Sequence, residues 1–115
     1  MRAICYHNPR CGKSRQTVQL LQEHGIDIDI IEYLKTPPTF EELSDIIQKL
    51  GIDPRELMRK KEIAYKANKL DDKTLDSKAL INAMINYPIL IERPIVVANG
   101  KAAIGRPPEA VLAIL

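Results

Sequence analysis

The segment His7-Asn8-Pro9-Arg10-Cys11-Gly12-Lys13-Ser14-Arg15 gathers the residues best able to do chemistry in this chain. Gly12-Lys13-Ser14 is the ending of the phosphate-cradling loop G-x-x-x-x-G-K-[ST], but the first glycine would have to stand where the chain has His7. A phosphatase-type C-x5-R loop counted from Cys11 needs arginine where the chain has Thr17, and Arg15 is too near in sequence to replace it. What survives is a cysteine at the start of a helix. A thiol there meets the positive end of the helix dipole and unpaired N–H groups. That placement lowers its pKa and favours the thiolate, and the same N–H groups can receive an oxyanion. Ser14, three residues on, is within reach to donate to the sulfur. The competing reading is an inert buried cysteine, a common fate of free Cys; polar, glycine-containing neighbours favour the reactive one. For Cys5, inside an apolar run, the weighting reverses. His7 either tunes Cys11 electrostatically or only hydrogen-bonds the loop. Lys13 and Arg15 on a helix face are equally consistent with plain solvation.

These residues need a scaffold. "AICYH" (3–7) reads as a buried strand and "GKSRQTVQLLQEHG" as a helix, with Val18 and Leu21 toward the core, Leu20 beside them and Gly25 as the stop. "IDIDIIEYL" (26–34) opens with apolar–acidic alternation, a strand signal. A β-α-β start favours a parallel pair joined by a right-handed crossover. After the break "KTPPT", Thr39 and Glu42 form a capping box ahead of Leu43, Ile46, Ile47 and Leu50, and Gly51 ends that helix. "DPRELMRKKE" predicts a second helix with Asp53 as cap and Pro54 at its first position. "SKALINAMINYP" predicts a third, stopping before Pro88. "RPIVVANGKAAIG" reads as a hairpin turning at Asn99-Gly100, and "RPPEAVLAIL" as a closing helix. The expected architecture is α/β and thioredoxin-like: β-α-β, a helical insert at about 36–87, then β-β-α. A small mixed sheet is flanked by helices, all within a single domain over 1–115.

With 115 residues, 45% hydrophobic and 28% charged, the chain suits one globular core. A net charge of +2 is too small to imply nucleic acid, so anion binding must come from locally placed arginines. No apolar run approaches the ~18 residues of a membrane span. The start "MRAICYH" enters structure at once, so no cleaved targeting segment is expected. The two cysteines and two histidines lack metal-ligand spacing. One possible disulfide points to a reducing compartment, and a cytoplasmic monomer without metal, bound cofactor or membrane partner is the expectation.

Five blocks, "HNPRCGKSR", "YLKTPPT", "LGIDPRELMRKKE", "ILIERPIVV" and "IGRPPEAVLAIL", resemble in order the glutaredoxin-linked arsenate reductases, across essentially the whole chain. The resemblance implies Cys11 as nucleophile and Arg59, Arg93 and Arg106 around the oxyanion. His7, Ser14 and Arg15 fall on the family's loop positions, and a cis bond is implied at Arg93–Pro94. Arginine forks suit a tetrahedral oxyanion independently of any family. Arg93 and Arg106 each precede a proline, which restricts their backbones. The implied activity is reduction of arsenate to arsenite through a Cys11 thiol–arsenic adduct, with glutathione as co-substrate and glutaredoxin as the partner that regenerates the thiol. An orphan glutathione-dependent oxidoreductase of the same fold, or a non-enzymatic regulator, are the alternatives. The loop has Ser14 where an internal C-x-x-C disulfide would need a second cysteine.

Overall fold

The continuous apolar run Ala3-Ile4-Cys5-Tyr6 draws Arg2–His7 into strand β1, which pairs in parallel with β2 (Asp27–Glu32) from Arg2↔Asp27 to His7↔Glu32. Helix α1 (Gly12–Glu23) makes the crossover between them. On the other side of β1 lies antiparallel β3 (Ile95–Ala98), with Cys5 opposite Val96, and β4 (Lys101–Ile104) pairs antiparallel with β3. The computed structural model describes residues 2–115, and its sheet runs β2-β1-β3-β4. The predicted hairpin turns at Asn99 (φ 54°) and Gly100 (φ 72°), the pair of left-handed conformations that a two-residue turn of this hand needs.

The chain divides into two compact units, residues 2–36 with Arg93–Leu115, and Pro37–Glu92. In the first, Ala3 and Cys5 of β1, Val96 and Ala98 of β3 and Leu21 of α1 form one core with Val111 and Ile114. Alternation puts these strand residues on a single sheet face, and Val18 and Leu20 pack at the margin. The closing helix expected over "RPPEAVLAIL" is a 3-10 helix, Pro108–Ile114. Its buried residues, Pro108, Val111 and Ile114, recur every three positions. That spacing lines up along a three-residue turn and would drift around an α-helix.

The second unit opens with α2 (Phe40–Leu50), whose capping box is complete. Thr39 Oγ1 accepts the Glu42 N–H at 3.2 Å, and Glu42 Oε1 accepts the Thr39 N–H at 2.9 Å. The helix predicted from Asp53 does not run on. A 3-10 turn, Pro54–Leu57, gives way at Met58 to extended backbone. There the Arg59 N–H donates to Leu90 O at 2.7 Å and the Glu92 N–H to Leu57 O at 2.8 Å, around an isolated Met58↔Ile91 bridge. Pairing with a segment distant in sequence overrides the helical propensity of "ELMRKKE". A short helix that the sequence reading does not foresee, α3 (Ile63–Ala67), follows. Then α4 (Ser77–Asn86) starts on Asp76, whose Oδ1 accepts the Ala79 N–H at 2.8 Å. Among the described residues no helix is long and apolar enough to cross a membrane.

Candidate active site

Cys11 is the residue before α1, with extended backbone (φ −95°, ψ 123°). Its N–H donates to Asn8 O at 3.0 Å, closing a tight turn out of β1. Only 9% of the residue is exposed. Burial pushes the thiol pKa up, but the Ser14 main-chain N–H, the charge and hydrogen bond of Arg93 and the Lys13 main-chain N–H together outweigh it. The net result is a pKa below the ordinary cysteine value. The helix start thus supplies two N–H donors and β3's entry supplies a guanidinium, which is how a sparingly exposed sulfur becomes a nucleophile.

Ser14 takes a different part from the one its spacing suggests. It is fully buried, and its Oγ accepts the Asn8 N–H at 3.0 Å while standing 2.6 Å from His7 Nδ1. The hydroxyl is used to close the loop, and it is the Ser14 main-chain N–H that serves the sulfur. A neutral His7 protonated at Nε2 accepts a hydrogen bond from the Ser14 hydroxyl at Nδ1; an imidazolium would donate instead. Burial holds His7 below the usual histidine range, with the Glu32 carboxylate opposing and the Arg15 charge assisting. The observed contact of His7 is therefore with the loop. From the outer side, Arg15 Nη1 donates to Pro9 O at 2.9 Å.

Arg93 and Pro94 precede β3 through a cis bond, and Arg106–Pro107 is cis as well, which the sequence reading does not specify. Gly105 N–H donates to Pro94 O at 2.9 Å. A Cβ on Gly105 would stand 2.5 Å from Thr17 Oγ1 and 2.8 Å from Pro94 Cγ, so only glycine lets the end of β4 close over that turn. Arg106 Nη1 in turn donates to Arg93 O at 3.3 Å. The first unit thus brings together Cys11, His7, Ser14, Arg15, Arg93, Pro94 and Arg106. Arg59 belongs to the second unit, where its Nη1 pairs with Glu62 Oε1 at 2.6 Å.

Three further supports escape the sequence reading. Asn8 holds the loop twice, through its carbonyl to Cys11 and through Oδ1 to the Arg10 N–H at 3.0 Å. The Asn-Pro pair signals such a turn. Thr17, fully buried, donates to Lys13 O at 2.9 Å. Gly105 is legible only in three dimensions. Chemically, the arrangement can present a thiolate to an electrophile whose negative oxygens lie against N–H groups and guanidinium.

The sequence matches the model of the ArsC family over residues 6–114. It is 55% identical over 111 residues to the uncharacterized protein YfgD of Escherichia coli, covering 96% of this chain and 93% of that one. To an arsenate reductase of Neisseria meningitidis it is 51% identical over 111 residues, covering 96% and 95%. Among solved structures, an arsenate reductase from Vibrio cholerae gives a TM-score of 0.97 at 52% identity, covering 100% of this chain and 98% of that one.

Proposed function

The chain belongs to the ArsC family, and from that premise we propose that it reduces arsenate to arsenite in a glutathione- and glutaredoxin-dependent cycle. One observation carries the proposal: a low-pKa Cys11 sulfur held between two helix-start N–H groups and the Arg93 guanidinium. Relatives and a solved structure that bear the name arsenate reductase support the substrate.

The Cys11 thiolate attacks arsenic(V), an arsenate oxygen leaves as water after protonation, and a sulfur–arsenic bond forms. Arg93 and Arg106 neutralise the oxygens. A guanidinium fork matches two of them at once. Glutathione thiolate then attacks the Cys11 sulfur of the adduct. A sulfur–sulfur bond forms, the sulfur–arsenic electron pair stays on arsenic, and arsenic(III) departs as arsenite. Glutaredoxin takes up the glutathione of the mixed disulfide and returns Cys11 as a thiolate. External thiols are required because the other cysteine, Cys5, lies fully buried within β1.

The test is a coupled assay with arsenate, glutathione, glutaredoxin, glutathione reductase and NADPH. NADPH consumption should match arsenite release one to one. Cys11→Ser should abolish it, Cys5→Ala should keep it, and omission of glutaredoxin should stop it. If Cys11 is glutathionylated and cleared by glutaredoxin while no arsenite forms at any arsenate concentration, the substrate is wrong and an orphan thiol oxidoreductase is the better description.

A further inference from the structure

Strands β1 and β2 run parallel and end side by side at His7 and Glu32. Open α/β sheets bind ligands outside the carboxyl ends of their strands. Here the loop leading to Cys11 and the turn after β2 diverge and leave a pocket of about 300 Å³, lined by Pro9, Arg10, Glu32, Leu34 and Lys35 among others. That is near the lower end of small-molecule sites, which run from roughly 300 Å³, and far more than a single tetrahedral oxyanion fills.

The charges in it are specific in number. Arg10 and Lys35 are exposed cations, and Glu32 is a half-buried carboxylate. Lys35 Nζ stands 3.6 Å from Glu32 Oε1, with the lysine side chain well solvated and the carboxylate partly so. A pair this long and exposed yields either partner to a ligand at small cost. Pro9 and Leu34, the latter 43% exposed, add an apolar wall. Two cations, one anion and an apolar strip complement a small peptide acid with two carboxylates and one ammonium. The carboxylate of Glu32 disfavours a bare polyanion. Two residues of the pocket wall lead to the nucleophile: Arg10 directly precedes Cys11, and Asn8 O accepts the Cys11 N–H.

We infer that this pocket seats the thiol co-substrate, with Arg10 and Lys35 on the carboxylates of glutathione and Glu32 on its ammonium, so that the tripeptide's sulfur is delivered beside Cys11. The inference rests on the glutathione-dependent cycle proposed above, for which it names the docking site. No covalent step is added to that cycle.

S-methylglutathione, which cannot react, is the probe, titrated into the full chain without arsenate and followed by amide chemical shifts. Saturable shifts should cluster at Asn8, Arg10, Glu32, Leu34 and Lys35. The double variant Arg10→Glu with Lys35→Glu should weaken binding roughly tenfold or more. Esterifying both carboxylates of the probe should do the same to the unaltered protein, which guards against a variant that merely folds poorly. Shifts confined to other surfaces, equal affinity for probe and diester, or displacement of the probe by equimolar inorganic phosphate would overturn the assignment. The two proposals fail separately. Binding in the pocket without arsenate reduction sinks the substrate, whereas normal turnover with the probe bound elsewhere sinks the pocket.

Discussion

Cys5 and Cys11 sit six positions apart in one chain, and both are nearly closed to water, at 0% and 9% exposure. Yet burial pushes Cys5 up to about 12, while Cys11 falls below the ordinary cysteine value. The difference lies in what surrounds each sulfur. Cys5 faces Ala3, Leu21, Val96 and Val111 in the core. Cys11 meets two main-chain N–H groups and a guanidinium. Exclusion of water penalises a thiolate in both places, and only the second supplies dipoles and charge that replace the lost solvent. A buried cysteine is inert or nucleophilic according to the polarity of its wall.

Removing the polar wall should have the largest effect. Arg93→Ala leaves burial less opposed, so the Cys11 pKa should rise, and arsenate turnover should fall about 100-fold, the usual scale for losing one preorganised oxyanion donor. Arg93→Lys should recover part of the pKa shift but less of the turnover, since an ammonium keeps the charge and loses the fork. Titration of the thiolate absorbance alongside steady-state rates checks both.

Gly105→Ala should disturb the wall indirectly. The added methyl would meet Thr17 Oγ1 and Pro94 Cγ well inside van der Waals contact. Overpacking of this kind costs about 1–3 kcal/mol, readable in urea unfolding, and displacement of Pro94 should also slow Cys11 alkylation. A variant as stable and as reactive as the parent would mean that the turn before β3 does not set the geometry of the site.

The inert thiol should leave a smaller mark, on stability against pH. Cys5 has its folded pKa raised, so its contribution is fully present below the unfolded value near 9 and is lost as pH rises toward 12. Unfolding free energy measured from pH 8 upward should therefore decline more steeply in the parent than in Cys5→Ala. Identical slopes would show that Cys5 is not closed off from solvent.

Much of this contrast is legible in the sequence. Cys5 lies in an apolar run and Cys11 before a helix, and the Asn99-Gly100 turn and the Thr39–Glu42 capping box each announce themselves within four residues. What escapes depends on partners far along the chain. "DPRELMRKKE" has helical propensity throughout, but bonds to Leu90 and Glu92 pull Leu57–Arg59 straight. The last segment tightens to a 3-10 helix because its core contacts fall at every third residue. Ser14 is correctly singled out by its position, but its hydroxyl goes to His7 and Asn8, which only the bend of the loop brings near. No local signal marks Gly105, whose constraint is imposed by Thr17 and Pro94.

The most direct test of the contrast is the rate of iodoacetamide labelling at each cysteine, read by peptide mass at pH 6.5 with and without arsenate. Cys11 should be labelled far faster than Cys5, and arsenate should slow Cys11 saturably while leaving Cys5 unchanged, with that protection weakened in Arg93→Ala and intact in Arg2→Ala. Labelling of Cys11 no faster than of Cys5, or a Cys11 rate indifferent to arsenate, would contradict the assignment of Cys11 as the thiolate that meets the oxyanion.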